Sequence, residues 1–283
     1  VGLLIPYLVM ERDMMVAWLD TAAGEPAVEA TAAEIGMRKA FRWREALCLE
    51  GRRRDLVCYE ALHPAWIARL GMPPEGVEGP VEREVRSPAP RAFPILEGDP
   101  PLNAMMVGER VYLRAVEEED AQVFADWSRR ETETFFDNGR PLRSPIATAA
   151  LHRDLAEDDP PEWVRFAICL RENDEVIGAN GIDDIDWVHR RAETETEIIR
   201  PEYRVGGYGT EAKHLLLSYA FERLGLHMVR SFVWEPNTRS AAALRKQGYR
   251  DAGYGAWTGL KHGEFVGEYV FDLLASEWQA ARR

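Results

Sequence analysis

Lysine is scarce in this chain of 283 residues. Lys39, Lys213, Lys246 and Lys261 are the only four among 35 basic residues, and 48 acidic residues leave a formal net charge of −13. Such a balance provides no basic face, the footprint that nucleic-acid binding requires, so no nucleic-acid partner is expected. An acid excess suits a cationic or amine-bearing substrate, although solubility alone accounts for it equally well. Cysteine is scarcer still. Cys48, Cys58 and Cys169 show neither metal-ligand spacing nor a disulfide framework, so no metal is expected, and the compartment expected is a reducing cytoplasm. Long apolar runs are missing too. The opening VGLLIPYLVM falls well below the roughly 20 residues that span a bilayer, and no basic flank precedes it. Neither a membrane partner nor a signal peptide is expected, and the run reads as a buried strand.

Proline, by contrast, is concentrated. The stretch GMPPEGVEGPVEREVRSPAPRAFPILEGDPPLN excludes helix and central strand and reads as a semi-rigid connector. The expected organisation is a small α+β unit over 1–75, a linker over 76–105 and a larger domain over 106–283. In that domain RVYLRAV reads as a strand and EEEDAQVFADWSRR as a helix with an acidic start. VRFAICLR and EVIGANGIDDI read as a hairpin pair, and AETETEII as a further strand. Ala212, Leu215, Leu216, Tyr219, Ala220 and Leu224 recur at helical spacing. HMVRSFVWE, TRSAAALRKQG and EYVFDLLASEW then give strand, helix and strand. The order implies an α+β fold with a mixed, largely antiparallel sheet.

The most informative stretch is RPEYRVGGYGTEAKHLLLSYAFERLG, which places Gly206, Gly207 and Gly209 directly ahead of a helix. A helix N-terminus carries unpaired N–H groups and partial positive charge, and glycines let those amides approach an anion. The spacing matches neither the P-loop nor the dinucleotide fingerprint. Taken by itself, the loop is equally compatible with a tight turn.

Arg204-x-x-Gly207-x-Gly209 resembles the [QR]-x-x-G-x-[GA] signature of the GNAT superfamily of acetyl-CoA-dependent N-acetyltransferases. AETETEIIRPEYRVGGYGTEA, EPNTRSAAALRKQGYR and GEFVGEYVFDLLASEW resemble successive passages of that family, from about Gly108 to the C-terminus. The likeness is closest to the branch of ribosomal-protein N-terminal acetyltransferases.

That resemblance implies a GNAT-like fold, acetyl-CoA as co-substrate and a primary amine as acceptor, attacked directly in a ternary complex. Amides of Val205, Gly206, Gly207, Tyr208, Gly209 and Thr210, with Arg204, would hold the coenzyme pyrophosphate. Backbone near Thr196, Ile198 and Ile199 would pair with the pantetheine and polarise the thioester carbonyl, and Asn237 would bond the pantetheine arm. Glu193, eleven residues before Arg204, matches a glutamate that deprotonates the amine through water in some members. Strand alternation places Glu193, Glu195 and Glu197 on one face, suited to an ammonium group, and Glu195 is a substrate-binding candidate. Relatives carry a tyrosine acid where this chain has Leu244, so Ser240 is the candidate to protonate or bond the leaving sulfur. Phe135, Phe136 and Asp137, with Asn138, fall where the family admits its acceptor.

Residues 25–70 also echo 237–282. Setting Gly36 on Gly248 aligns Gly51 with Gly263 and Trp66 with Trp278 without a gap, and seven identities occur between Gly36 and Ala68. The N-terminal unit therefore reads as the C-terminal half of a second GNAT-like unit. It lacks a glycine loop, so it is expected to support the sheet or form a homodimer contact rather than bind acetyl-CoA. Two other classes stay open: a non-catalytic acyl-CoA-binding or sensor module, and a purely structural interaction protein that leaves the glycine loop unexplained.

Overall fold

The structure is a computed structural model, and the residues described are 1–78, 103–130, 144–155, 157 and 159–281. In chain order the first strands are β1 Val16–Ala22, β2 Arg38–Leu49, β3 Arg52–Leu62, β4 Ala104–Val107, β5 Val111–Ala115 and β6 Val164–Leu170. β7 Val176–Asp186, β8 Arg191–Ile198, β9 Met228–Trp234, β10 Arg250–Lys261 and β11 Glu264–Leu274 follow. The helices are α1 Leu4–Pro6, α2 Pro26–Glu34, α3 Pro64–Leu70, α4 Asp120–Ser128, α5 Pro145–Leu155, α6 Tyr208–Ser218, α7 Thr238–Lys246 and α8 Ala275–Ala280. Among the described residues no helix is long and apolar enough to cross a membrane.

Proximity along the backbone groups the chain into two compact units, Val1–Arg83 with Arg230–Leu274, and Glu84–Val229 with Ala275–Arg283. By sequence the boundaries fall at 75 and 106; by compactness the closing strands β10 and β11 group with the N-terminal residues. Most of the proline-rich segment, 79–102, lies outside the described residues.

In the first unit neighbouring strands run β1-β3-β2-β10-β11-β9. The opening apolar run is helical rather than a strand: α1 continues into a π-turn over Tyr7–Glu11. Ile5 and Val9, four residues apart, are buried with Ala17, Ala32, Met37 and Ala61, while Leu4, Tyr7 and Met10 face water. A one-sided stripe at that spacing is satisfied by a helix and not by alternation.

Residues 1–70 repeat element by element at a constant shift of 212 residues: β1 falls on β9, β2 on β10, β3 on β11 and α2 on α7. The π-turn Tyr7–Glu11 falls on another at Tyr219–Arg223. Irregular backbone repeats as well. Glu45 (φ 51) and Trp257 (φ 52) are both left-handed, as are Glu50 (φ 49) and His262 (φ 51). β2 slips register against β3 between Lys39 and Phe41 and between Trp43 and Leu47; β10 slips against β11 between Asp251 and Gly253 and between Gly255 and Gly259. The buried pair Arg38–Glu60 recurs as Arg250–Asp272, at 2.5 and 2.8 Å.

β2 and β10 meet antiparallel at Phe41 opposite Gly253. The 212-residue shift exchanges these two positions, so a local two-fold axis passes between them. A Cβ on Gly253 would lie 2.5 Å from the Phe41 Cα and 2.6 Å from its Cβ. Only glycine lets the two backbones approach so closely there.

In the second unit the strands run β8-β7-β6-β5-β4, each neighbour antiparallel. Such ladders are hairpin-connected and cover one face with helices. α6 covers β7 and β8: the buried Asn180 amide donates to the Ala212 carbonyl at 2.9 Å, and Ala212, Leu215 and Leu216 are buried. Arg114 clamps Asp120 with two 2.7 Å bonds and fixes the start of α4. A mixed α+β architecture with antiparallel strands is the expected fold class.

Candidate active site

The glycine loop lies in the second unit between β8 and α6. After Ile198 the chain makes one 3-10 turn at Pro201–Tyr203 and then two left-handed residues, Gly206 (φ +82) and Gly207 (φ +87). Gly207 is the N-cap of α6, and Val205, Gly206 and Gly207 are exposed. Two successive positive φ angles cost a side-chain-bearing residue too much, which explains why glycine occupies both. α6 then points its first, intrahelically unpaired N–H groups and its positive dipole end at the loop. Gly209 lets the helix sit on β8, since a Cβ there would touch the Ile198 Cγ1 at 3.3 Å.

Two arginines brace this turn. Arg204 is turned back onto the strand end, donating to the carbonyls of Ile198 at 2.9 Å and Ile199 at 3.4 Å. Arg110 was not singled out from the sequence. It donates to the Gly206 carbonyl at 2.6 Å and to Glu211 at 2.9 Å, and its guanidinium stacks 4.5 Å from the Tyr208 ring centre. Glu211 in turn accepts the Arg110 backbone N–H at 2.8 Å. The loop is thus shaped by its own arginines and carries positive charge in an acidic protein. This arrangement fits a pyrophosphate: exposed amides, a helix N-terminus and a neighbouring guanidinium converge.

β8 supplies the acidic face. Glu193 stands opposite Asp183, and Glu195 opposite Gly181, in the β7 pairing. Glu195 is ion-paired with Arg165, which also reaches Asp183 at 3.5 Å. Glu195 is therefore partly neutralised, whereas Glu193 sits half-buried beside the buried Asp183. On the opposite alternation Thr194 is buried against the helix side, and the Thr196 hydroxyl donates to the Glu195 carbonyl at 2.8 Å. Ile199 is buried, and its N–H pairs with the Ile177 carbonyl at 3.0 Å.

Lys213 is a second residue the sequence did not single out. It is fully buried in α6, and burial lowers its pKa to about 7, against the opposing pull of Asp183 and Glu193. A lone lysine inside an amphipathic helix gives no signal of this, because the cause is three-dimensional.

Asn237 and Ser240 belong to the first unit. Asn237 caps α7, its side-chain oxygen accepting the Ser240 N–H at 3.2 Å. Leu244 is buried one turn further on. The structure thus gathers Glu193, Glu195, Thr196, Ile198, Ile199 and the loop Arg204–Thr210 in one unit, with Asn237 and Ser240 in the other. Phe135, Phe136, Asp137 and Asn138 lie outside the described residues.

Comparison with known proteins gives this site a context. A family model for the acetyltransferase (GNAT) domain matches residues 110–250. The uncharacterized N-acetyltransferase YoaA of Bacillus subtilis (strain 168) is 30% identical over 164 residues, 57% of this chain and 85% of the relative. The uncharacterized N-acetyltransferase p20 of Bacillus licheniformis is 30% identical over 176 residues, 60% of this chain and 96% of the relative. Spermidine N-acetyltransferase from Vibrio cholerae, solved with CoA and spermine, shares the fold with a TM-score of 0.56 at 21% identity, over 60% of this chain and 98% of that one. The chain belongs to the GNAT family of N-acetyltransferases and is an acyltransferase enzyme.

Proposed function

We propose that the protein moves the acetyl group of acetyl-CoA to a primary amine, by direct attack within a ternary complex. The observation that carries this reading is the pair of exposed left-handed glycines, Gly206 and Gly207, at the start of α6. Acetyl-CoA would supply an activated thioester carbonyl. Amides from Val205 to Thr210, with Arg110 beside them, would hold its pyrophosphate, and the backbone from Thr196 to Ile199, at the end of β8, its pantetheine; Asn237 is proposed to bond the pantetheine arm from the family resemblance alone. Arg204 serves by holding the loop against the strand end. Glu193 would take the proton from the incoming ammonium group, since an amine attacks only when neutral. Ser240 would bond or protonate the departing sulfur.

The acidic face of β7 and β8 and the net charge of −13 support a cationic acceptor, either a protein N-terminus, as in the ribosomal-protein branch, or a small amine. The Vibrio cholerae neighbour was solved with spermine, which favours the small amine. Phe135, Phe136 and Asp137 are proposed at the acceptor entrance from sequence alone. We also propose residues 1–75 as a half GNAT repeat that binds no acetyl-CoA by itself, residues 76–105 as a linker and 106–283 as the catalytic domain. A cytoplasmic location and a homodimer complete the reading.

The test is acetyl-CoA calorimetry on the full chain and on Gly207→Glu, followed by thiol release with an amine panel that includes a diamine and a free peptide N-terminus. Binding that disappears in the variant, with turnover of one amine class, supports the proposal. Binding without turnover of any amine favours an acyl-CoA sensor, and no binding removes the enzyme reading of this site.

A further inference from the structure

The first unit contains a cavity of about 530 Å3, lined from both repeats and by none of the candidate site residues. Four aromatic side chains form its walls: Trp18 from β1, Phe41 from β2, Phe232 from β9 and Trp257 from the β10 bulge. Its two carboxylates are Asp20 and Glu268, and no lysine or arginine lines it among the described residues.

Strand alternation explains the position. Ala17 and Ala61 turn to the face packed against Ala32 of α2. Trp18, Asp20 and Cys58 therefore turn to the other face, with Trp18 opposite Glu60 and Asp20 opposite Cys58. Trp18 is 38% exposed, unusual for so large an aromatic. The buried Cys58 thiol donates to the Tyr59 carbonyl at 3.7 Å, and Asp20 stands opposite Cys58 on the cavity face. Trp18 and Glu268 converge over Gly255, where a Cβ would lie 3.0 Å from the Trp18 Cη2 and 3.7 Å from the Glu268 Cγ.

The 212-residue shift shows how the two repeats differ around the cavity. At the 212-residue shift Trp18 corresponds to Arg230, and Ala256 to Arg44. Arg44 fills its side of the axis, bonding Asp272 at 2.8 Å through its guanidinium and at 3.1 Å through its backbone N–H. Ala256 retains only the equivalent backbone bond, to Glu60 at 3.1 Å. Arg230 covers Trp43 at 4.8 Å. Where one repeat carries these two guanidinium groups, the other carries an indole and a methyl, and the space beside them is lined by aromatics and carboxylates.

We propose that this cavity binds an amphipathic organic cation, an ammonium group carried on an aromatic or branched apolar body. Aromatic faces attract such cations and exclude water from around them, and the two carboxylates set the sign of the charge accepted. The site lies within the repeated unit and stands independently of acetyl transfer.

Calorimetry on the full chain with 2-phenylethylamine, and with 2-phenylethanol as its uncharged counterpart, tests the proposal. The amine is expected to bind at one cavity site at least about tenfold more tightly than the alcohol. Gly207→Glu should leave that binding intact, and Asp20→Asn should weaken it about tenfold. Ala256→Arg restores the guanidinium of the other repeat and should abolish binding without lowering the melting temperature, so the question stays answerable where Asp20→Asn perturbs folding. Equal affinity for the alcohol, or amine binding untouched by Ala256→Arg, would overturn the assignment.

Discussion

Because only four lysines occur, Lys213 can be observed directly. Its ordinary pKa of 10.5 falls to about 7 through complete burial, with Asp183 and Glu193 pulling the other way. The shift makes protonation of the folded chain cost about 5 kcal/mol more than protonation of the unfolded one. Lysine in the unfolded chain stays protonated up to 10.5, whereas Lys213 in the folded chain loses its proton near 7. Between these values the unfolded state binds more protons, so stability rises with pH by about 1.4 kcal/mol per unit from about pH 7 and levels off near 10.5. Chain labelled with 13C at lysine Cε should give four signals, one of which titrates near neutrality. Lys213→Met should delete the neutral titration and flatten the rise in urea-unfolding free energy between pH 7 and 9. Glu193→Gln should lower the remaining pKa further, since Glu193 now raises it. The absence of any signal that titrates near neutrality would refute the burial argument.

Three further outcomes follow from the geometry. Glu193→Gln should reduce kcat/KM for the preferred amine by about a hundredfold at pH 7.5 while leaving acetyl-CoA affinity unchanged; a retained rate would place the base elsewhere. Arg110→Ala removes a half-exposed pair with Glu211 and should cost less than about 1 kcal/mol of stability, yet weaken acetyl-CoA binding about fivefold by calorimetry through the loss of loop bracing and positive charge. Gly253→Ala forces a methyl into the Phe41 backbone at the local axis, and a loss of about 3 kcal/mol in denaturant unfolding is expected; an unchanged midpoint would show that β2 and β10 separate without cost.

Much of the fold was legible because its signals are local. The apolar runs of β6 and β7, the alternation in β8, the helical stripe of α6 and the paired glycines all depend on near neighbours in the chain. The short opening run was not, since 10 apolar-rich residues satisfy both periods and only packing of Ile5 and Val9 decides between them. The site shows the same division. Gly206 and Gly207 announce themselves because their φ angles exclude other residues. Arg110 lies 96 residues from the Gly206 carbonyl it supports, a separation at which no spacing rule operates. Arg165 on β6 reaches Glu195 on β8 across the intervening β7, so the neutralisation of that carboxylate could not be read from the alternation that singled it out.

The two repeats separate what the backbone requires from what a site requires. Glu45 and Trp257 occupy equivalent bulges with almost the same left-handed φ, although neither is a residue that favours it. Their shared strain is about 1 kcal/mol, so glycine should relieve it equally at both positions. The side chains differ. Glu45 is half-buried, and its backbone N–H bond to Asp55 at 2.7 Å survives substitution. Trp257 is 8% exposed and forms a wall of the aromatic cavity. Glu45→Gly should therefore change unfolding free energy by no more than about 1 kcal/mol, in the stabilising direction where strain dominates. Trp257→Gly should lose about 3 kcal/mol or more, as for other large-to-small core changes, together with binding of the organic cation. Equal effects at the two bulges would mean that the tryptophan serves the turn alone, and the cavity would then be a by-product of the repeat rather than a site.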